Sequence, residues 1–544
     1  MKQRSRKVQK LKVEKVDRLS HPGRRKNHYP EETKEAIRKV FADKRLNYEK
    51  RIEKIGKMIG VNAERKVRQI LKAHHIIENP DSHDPEQYTE AKKRKFKKSA
   101  KKFIITWAQN NTPVHIPFFD NIKSYAKHIG AEIHVVLGRY KNPTSVWTQN
   151  QQDEEFWDPA VLPYKDANRH HVHDHLTILS DIKIQPTAAM PMSGMESISG
   201  PSSCVFGFPK MHLKVIPALE GYRPKFMFTT GAVTEKNYTD SKAGKKGEFH
   251  HTFGFVIVEI KNKNDFFVRQ VTATEDGSFC DLGFAVEGKK VKKVDAIDVA
   301  VLGDIHVGDH DVNINNQQKK WLDRLKPKYT VLHDVFNGHS LNPHEADDPL
   351  KMYQRHVDGS NQVKKEITEM LQYLQGMKKY NLVITSANHN DFIDRWIKKA
   401  DWKKNIHNAA EYLEYTNVLL SGKAPNGIID YIINKEFPGQ IKTLGRNESF
   451  SINGWELSNH GDIGANGSRG AITQYKRLNT KMICGHSHTC AREDGVIYVG
   501  TSTKLRVGYN IGASSWTNAD VIVHKNGKAQ HIIYFNGQFT TLKF

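Results

Sequence analysis

The segment from Ile297 to His306, IDVAVLGDIH, constrains the fold of this chain more strongly than any other. Its apolar run is typical of a buried strand, and the strand ends at Gly303, just before Asp304 and His306. A carboxylate and an imidazole presented together at the end of a strand are suited to hold a metal ion. The segment therefore predicts a metal site at this strand end.

Four later segments place the same kinds of side chain after an apolar run. In chain order, these candidates are Asp334 in TVLHDVFNGHS, Asn388 with His389 in LVITSANHND, His460 in LSNHGDIG, and His486 with His488 in MICGHSHT. A single histidine at a strand end is more often structural, and Gly-Asp pairs are common in turns. The complete order D-x-H, D, N-H, H, G-H-x-H is not expected by chance, so it indicates one composite site.

Helical segments alternate with these strands. WLDRLKPK follows the first candidate ligands, and VKKEITEMLQYLQGMKK has the apolar spacing of an amphipathic helix. Strands that alternate with helices predict an α/β domain, which we assign to residues 294–544. Open α/β architectures place their sites at strand ends, where these side chains lie.

The order of ligands resembles that of the calcineurin-like metallophosphoesterase superfamily, over residues 294–515. The resemblance implies a four-layer α/β/β/α sandwich with two metal ions, and His389 matches the catalytic histidine. It assigns one ion to Asp304, His306, Asp334 and His488. It assigns the other to Asp334, Asn388, His460 and His486, with Asp334 bridging the two.

Two positions depart from the superfamily's pattern. His333 precedes the bridging carboxylate, where a glycine is usual. Asn390 follows the catalytic histidine, where an acidic residue is common, and Asp391 comes one position later. No ligand position is lost, so we expect an active centre.

The ligand types indicate the metal and the chemistry. Carboxylate, amide and imidazole donors without thiolates suit Mn²⁺, Mg²⁺, Fe or Zn²⁺, and Mn²⁺ is the first choice for a nuclease. Two such ions imply in-line hydrolysis of a phosphate ester by a bridging hydroxide. A protonated His389 is expected to stabilise the phosphate or to donate a proton to the leaving oxygen.

A second resemblance concerns residues 143–310. The segments KNPTSVW, TTGAVTEKNYTDSKAGKKGEFHHTFGFVIVEI and VLGDIHVGDHDVN resemble the early host-DNA-degradation nucleases of the T-five group of coliphages. This resemblance implies a manganese-dependent deoxyribonuclease that acts in the cytoplasm of infected bacteria, as a homo-oligomer.

The chain has 544 residues, enough for two to four domains, and a net charge of +24. Residues 1–102 contain 32 Lys and Arg against 14 Asp and Glu, so most of the excess positive charge lies there. Such asymmetry is typical of a segment that binds a polyanion, above all nucleic acid, although a solvated tail has the same composition. We expect residues 1–29 to be a disordered basic arm.

Residues 30–101 predict a small helical domain. The segment IGKMIGVNAERKVRQIL resembles a helix-turn-helix, although any three-helix unit has a similar pattern. On the helix-turn-helix interpretation, DNA contacts come from the outer face of the third helix and from the basic run that follows. These candidate contacts are Arg65, Arg68, Lys72, Lys92, Lys93 and Arg94.

Residues 102–293 predict an accessory α/β domain that begins with a strand–helix–strand unit and continues with short strands. Four imidazoles in RHHVHDH, from Arg169 to His175, suit a transition metal, but no second cluster accompanies them and we expect a surface loop. No apolar run is long enough to cross a membrane and no signal peptide is visible, so we expect a cytoplasmic protein.

The residues leave three functions open. The first is a deoxyribonuclease, favoured by the metal motif together with the basic amino-terminal region. The second is a phosphatase or small-nucleotide phosphodiesterase, since the same centre hydrolyses monoesters and diesters across the superfamily. The third is a non-enzymatic DNA-binding or transfer factor.

Overall fold

The computed structural model describes residues 31–42, 48–61, 67, 71, 100–140, 157–343, 345, 348–508 and 510–544. The chain divides into two compact units, residues 1–95 and residues 96–544.

The described part of the first unit contains helices α1 (Glu31–Ala42) and α2 (Tyr48–Ile59), so the first two predicted helices are present. Five buried apolar side chains pack together in this unit: Ile37, Ile52, Ile55, Val67 and Leu71. The predicted basic arm lies outside the described residues. So do all six candidate DNA contacts: Arg65, Arg68, Lys72, Lys92, Lys93 and Arg94.

The second unit is a mixed α/β structure. Its described helices are α3 (Ile116–Ile129), α4 (Lys242–His250), α5 (Val312–Leu325), α6 (Pro349–Asp358), α7 (Val363–Met377), α8 (Phe392–Lys399), α9 (Ala409–Leu420), α10 (Ile428–Glu436) and α11 (Ile472–Tyr475). Its described strands are β1 (Lys102–Gln109), β2 (Glu132–Gly138), β3 (Lys165–Asp166), β4 (Arg169–His173), β5 (Leu176–Leu179), β6 (Ser203–Phe206), β7 (Leu213–Ile216), β8 (Lys225–Thr229), β9 (Gly254–Ile260), β10 (Phe266–Thr272), β11 (Phe279–Asp281), β12 (Phe284–Glu287), β13 (Lys290–Lys293), β14 (Val299–Val301), β15 (Tyr329–Leu332), β16 (Leu382–Ile384), β17 (Lys442–Thr443), β18 (Ser451–Ile452), β19 (Trp455–Glu456), β20 (Lys481–Cys484), β21 (Ala491–Glu493), β22 (Val496–Tyr498), β23 (Ala519–Val523) and β24 (Ala529–Ile533). Within the described residues, no helix has both the length and the apolar character needed to cross a bilayer.

The predicted strand–helix–strand unit after residue 102 is confirmed. Strands β1 and β2 pair in parallel within a five-stranded sheet of order β10-β9-β1-β2-β3, and α3 connects them. Helix α3 begins where the His115 ring accepts a hydrogen bond from the backbone N–H of Phe118. It ends at Gly130, whose φ of 70° is the left-handed conformation that glycine adopts without strain. A three-stranded sheet, β11-β12-β13, follows later in the chain.

A six-stranded sheet carries the first candidate ligands. Its order is β17-β16-β15-β14-β23-β24. Strands β14 to β17 run parallel to one another, β23 pairs antiparallel with β14, and β24 pairs antiparallel with β23. Strands β14 and β16 are buried along their whole length, as expected for short apolar strands covered on both faces. Because β14, β15 and β16 are parallel neighbours, the segments that follow them leave the same edge of the sheet.

A ten-stranded sheet joins residues 102–293 to residues 294–544, which the sequence predicted as separate domains. Its order is β18-β19-β20-β22-β21-β7-β8-β6-β5-β4, and the two parts meet where Arg492 of β21 pairs with Leu213 of β7. The two regions therefore share one sheet within one compact unit, because strands from each complete the hydrogen bonding of the other.

The histidine-rich segment is a strand, so the prediction of a surface loop there is wrong. Residues of β4 pair antiparallel with β5 at the edge of the ten-stranded sheet. The buried carboxylate of Asp166 helps to hold β4 in place, since its oxygens lie 2.7 Å from His170 Nε2 and 3.2 Å from His134 Nδ1. The sequence of this edge strand is as polar as that of a loop, which is why the strand was not predicted.

Apolar side chains on both faces of the six-stranded sheet define the layers around it. Helices α5, α7, α8 and α10 pack on one face, against a cluster that includes Ala300 and Leu302. The opposite face, which includes Val299 and Val301, packs against β19, β20 and β22 of the ten-stranded sheet. This division follows from the alternation of side chains along a strand. On the far side of the ten-stranded sheet, Tyr475 of α11 packs against β20 and β22.

Candidate metal centre

The candidate ligands converge from two sheets. Asp304 with His306, Asp334, and Asn388 with His389 follow β14, β15 and β16, at one edge of the six-stranded sheet. His460 follows β19, and His486 with His488 follow β20 of the ten-stranded sheet. Because the two sheets pack face to face, these strand ends meet.

The first group of donors consists of Asp304, His306, Asp334 and His488, all of which are buried. One ligand atom from each side chain lies within 4.8 Å of all the others. The Nε2 atom of His488 is 3.1 Å from Asp304 Oδ2 and 3.0 Å from His306 Nε2. Two imidazole nitrogens that face each other beside two carboxylates form a donor set of the kind that surrounds a cation.

The second group consists of Asp334, His460 and His486, so Asp334 belongs to both groups. His460 Nε2 is 3.0 Å from Asp334 Oδ2. Asn388 adds an amide oxygen, because its Oδ1 is 3.1 Å from His460 Nε2 and 3.1 Å from His486 Nδ1. The structure therefore brings together all seven side chains that the sequence identified.

Orphaned oxygen atoms test whether these residues fit a metal. Asp304 Oδ1 and Asp334 Oδ1 are buried and accept no hydrogen bond from the residues that the structure describes. A buried carboxylate oxygen without a donor is costly, and a bound cation removes that cost. The donors are oxygen and nitrogen atoms without a thiolate, which matches a divalent ion of intermediate hardness. The site therefore fits a divalent metal ion.

Four of the seven side chains sit on strained backbone. The φ angles of His306, Asp334, His486 and His488 are 44°, 44°, 68° and 54°, in the left-handed region that residues other than glycine rarely adopt. Hydrogen bonds hold the first two loops in this conformation: the N–H of His306 donates to the carbonyl of Asp334 at 2.8 Å. Such strain clusters at functional sites, because the surrounding structure must stabilise it.

A glycine allows the last loop to approach the first. A Cβ atom on Gly485 would lie 2.3 Å from Asp304 Oδ1 and 2.8 Å from His333 Cγ. No side chain fits at those distances, so Gly485 is required for His486 and His488 to reach the ligands of the other sheet.

Protonation states also suit a metal. Burial raises the pKa of Asp334, but His460 and His389 outweigh it and hold that pKa well below its ordinary value. Burial lowers the pKa of His306 to about 3, so its ring is neutral at pH 7. His460 differs: burial lowers its pKa, but the Asp334 carboxylate raises it to about 9. A proton and a metal ion therefore compete for His460.

His389 lies beside the donors without belonging to either group. Its ring centroid is 4.5 Å from that of His306, and it stacks on Phe392 at 4.5 Å. Its Nδ1 atom is 2.5 Å from the backbone carbonyl oxygen of Asn337. A carbonyl only accepts, so Nδ1 carries a proton and Nε2 is the nitrogen that gains or loses one.

Asp391, which follows Asn390 in the chain, pairs with Arg446 rather than with the His389 ring. Asp391 Oδ2 is 2.8 Å from Arg446 Nη2, and Arg446 Nη1 is 2.8 Å from Asp462 Oδ1. Arg446 thus links the loop after His389 to the loop after His460, while the Asn337 carbonyl orients the histidine.

Sequence reasoning missed two neighbours of the site. Arg446 is one, and Trp516 is the other, with its ring centroid 4.2 Å from that of His488. Neither belongs to a local motif, so no sequence signal identified them. Asn337 supports the site through two contacts: its carbonyl lies against His389 Nδ1, and its side chain donates to Asp309 Oδ2 at 3.0 Å.

Comparisons with known proteins give one relationship for this chain. No protein-family model matches the sequence, and no solved structure matches it. Protein A1 of Escherichia phage T5 is 31% identical to it over 466 residues, which are 81% of this chain and 83% of that protein. The predicted relationship to a protein of the T-five coliphages is therefore confirmed. The chain belongs to the family of Protein A1 of Escherichia phage T5.

Proposed function

We propose that this protein is a metal-dependent phosphodiesterase that degrades DNA. The observation that carries the proposal is the sharing of Asp334 by two adjacent groups of buried donors, with His389 beside them. Phosphate-ester hydrolysis by two metals uses such a pair of sites, with a separate acid for the leaving group.

We also infer membership of the calcineurin-like metallophosphoesterase superfamily, with its four-layer α/β/β/α sandwich. Two features support this inference. The ligands follow the superfamily's order along the chain, and the six-stranded sheet packs between a layer of helices and the ten-stranded sheet, against whose far side α11 lies.

The proposal assigns four ligands to each of two ions. One set is Asp304, His306, Asp334 and His488, and the other is Asp334, Asn388, His460 and His486. We propose Mn²⁺ as the physiological ion, with Mg²⁺, Fe and Zn²⁺ as alternatives. When bound, such ions polarise phosphate oxygens and lower the pKa of water.

His389 acts as the acid in this proposal. With Nδ1 donating to the Asn337 carbonyl, protonated Nε2 stabilises the charged phosphate or gives its proton to the leaving oxygen. Stacking on Phe392 and contact with His306 restrict the rotation of the ring, so that the proton stays at a constant position.

DNA is the proposed substrate because the excess positive charge lies mainly in the first 102 residues. The relationship to a phage protein supports early action in the host cytoplasm, on host DNA. We further propose that the protein acts as a homo-oligomer, which sedimentation velocity tests directly.

The test of activity is a gel time course on circular and end-labelled DNA with Mn²⁺, Mg²⁺ or chelator. We expect cleavage with Mn²⁺ and none with chelator. His389→Ala should lower the rate about 10²- to 10⁴-fold. His356→Ala should leave the rate unchanged, because His356 is exposed on α6.

Other outcomes identify the alternatives. Hydrolysis of bis-p-nitrophenyl phosphate without any DNA cleavage indicates a small-molecule phosphodiesterase. Preference for p-nitrophenyl phosphate indicates a phosphatase. A biological effect that survives His389→Ala indicates a DNA-binding factor without catalysis.

A further inference from the structure

A second polar cavity lies away from the candidate metal centre. Its volume is about 370 Å³, and none of the seven metal-donor side chains lines it. Strand β20 connects the two places: Lys481 at its start lines the cavity, and His486 follows its end. The four residues of this strand span on the order of 13 Å, so the two places lie at its opposite ends.

The walls of this cavity are strongly basic. Five cationic side chains line it, against the single carboxylate of Asp494; the five are Lys210, Lys476, Lys481, Arg492 and Lys528. Among them, Lys476 is paired with Glu493 at 2.8 Å. Asp494 also contacts His212 at 3.3 Å and His250 at 3.2 Å. Positive charge therefore exceeds negative charge around the cavity.

Two of these cations have a buried nitrogen atom that donates no hydrogen bond to any residue the structure describes. Lys210 is 2% exposed, its Nζ donates no hydrogen bond to a described residue, and the nearest described carboxylate oxygen, on Asp494, is 3.5 Å away. Arg492 is half-buried, and its buried Nη1 atom likewise donates no hydrogen bond within the described part of the chain. Burial lowers the pKa of Arg492 to about 10, so the guanidinium stays charged at pH 7.

Buried cations of this kind are costly unless an anion compensates them. The cost is understandable if an anionic ligand completes their hydrogen bonds. Guanidinium and ammonium groups that face one cavity suit the tetrahedral oxygens of a phosphate.

We propose that this cavity binds a phosphate-bearing small molecule of mononucleotide size, at a site separate from the metal centre. Its volume is near the lower end of the range for small-molecule sites, of about 300–1,000 Å³. Trp455 and Phe249 also line it and offer aromatic surface beside the cations. The site takes its ligand by phosphate recognition whether or not the proposed nuclease activity exists.

The experiment measures binding to the full chain by calorimetry, with excess chelator so that no metal-bound phosphate contributes. The probes are inorganic phosphate, deoxyadenosine 5′-monophosphate, and deoxyadenosine as the probe without phosphate. We expect both phosphate-bearing probes to bind and to raise the melting temperature, and deoxyadenosine to do neither.

Variants locate the site. Lys210→Met and Arg492→Gln should each weaken phosphate binding at least about tenfold, since each removes a charge-assisted hydrogen bond. Lys403→Met replaces an exposed lysine elsewhere and should have no effect. Asp334→Asn should also retain binding, because it alters only the metal centre. If Lys210→Met does not fold, Arg492→Gln and Lys528→Met provide the same test.

The probes distinguish two sources of the phosphate. Tighter binding of the nucleotide than of inorganic phosphate supports a nucleotide ligand, and equal binding supports recognition of the phosphate alone. The proposal is overturned if neither probe binds. It is also overturned if binding is unchanged in the cavity variants, or if only a longer oligodeoxynucleotide binds.

Discussion

At the residue scale, Asp334 is the side chain on which both donor groups depend. Its Oδ2 atom is 3.0 Å from His460 Nε2 and 3.7 Å from His306 Nε2, and no described residue donates a hydrogen bond to its Oδ1 atom. A carboxylate with one orphaned oxygen, placed between histidines from two sheets, can serve two cations at once.

Asp334→Asn tests this role with little change of shape. Asparagine is nearly isosteric and tolerates the φ of 44° at this position, so the fold should be retained. We expect Mn²⁺ affinity to fall at least about 100-fold, because a ligand is lost rather than a residue that supports one. Isothermal titration calorimetry with Mn²⁺ measures this affinity. Asp295→Asn, at an exposed carboxylate, is the control; equal affinities in the two variants would contradict the assignment.

A pH dependence follows from the pair formed by His339 and Asp309, whose Nε2 and Oδ2 atoms are 2.8 Å apart. The hydrogen bond to Asp309 raises the pKa of His339 above its ordinary value, despite burial. Since the folded-state pKa is the higher one, this contribution to stability is present below the unfolded-state pKa of about 6.5. It is lost as the pH rises through the folded-state value.

We therefore expect the destabilisation caused by His339→Gln to be largest near pH 6 and to shrink towards about pH 9. Urea unfolding with chelator, at several pH values, measures the difference in the free energy of unfolding between the variant and the unmodified protein. His356→Gln, at an exposed position, should show no such trend. A His339→Gln effect that grows with pH would show that the pair does not stabilise the charged ring.

At the element scale, the centre depends on how closely the loop after β20 approaches the loop after β14. Gly485 makes that approach sterically allowed, since an added Cβ would overlap Asp304 and His333. The contact joins two sheets that lie far apart in sequence.

Gly485→Ala should destabilise the protein by about 1–3 kcal/mol, as overpacking does, and should weaken metal binding because Asp304 must move. Gly376→Ala is the matched control: Gly376 lies in helix α7, and a Cβ there meets nothing within 4 Å. That substitution should stabilise the helix by about 0.5–1 kcal/mol. Thermal unfolding and Mn²⁺ titration of both variants check these effects, and a neutral Gly485→Ala would contradict the close approach.

A buried ionic cluster ties the five-stranded sheet to the three-stranded sheet. Arg269 of β10 donates to Asp281 of β11 at 2.6 and 2.8 Å, and also to Glu259 of β9. All three side chains are almost fully buried, so neither carboxylate has water to replace the guanidinium.

Arg269→Met should cost about 3–5 kcal/mol, because it leaves two buried carboxylates uncompensated. The matched surface pair is Arg169 and Asp181, 3.0 Å apart and more than a third exposed, where Arg169→Met should cost at most about 1 kcal/mol. Chemical denaturation compares the two variants. Similar costs would mean that the buried cluster contributes no more than a surface pair.

At the scale of the whole molecule, the ten-stranded sheet makes the metal-binding half dependent on the half before it. Strands β4 to β8 come from residues 169–229, and they complete the sheet that carries His486 and His488. The two packed sheets thus need chain from both sides of residue 294.

We expect a fragment of residues 294–544 to be insoluble or poorly folded, because it exposes the edge of β21 and the apolar surface that β5 to β8 cover. A fragment of residues 96–544 should fold, since it contains the whole second unit. Circular dichroism and proteolysis compare them. Cooperative unfolding of the shorter fragment would contradict this dependence.

Local sequence predicted those features that local chemistry determines. Short apolar runs predicted β14, β15 and β16, and the amphipathic spacing of VKKEITEMLQYLQGMKK predicted α7. The side chain after each strand identified all seven donors, since the ligand types are specific and their order is unusual. The strand at Arg169–His173 was missed, because its regularity depends on its partners β5 and Asp166 rather than on its own pattern.

The sequence alone therefore determined which side chains can bind a metal and at which end of each strand they lie. The tertiary structure decided that they meet, that Asp334 serves both groups, and that His389 is oriented by the Asn337 carbonyl. It also decided that basic residues distant in sequence, such as Lys210 and Arg492, face one cavity. The physical reason is that ligand chemistry is a property of single residues, whereas convergence depends on sheet pairing between segments far apart in the chain.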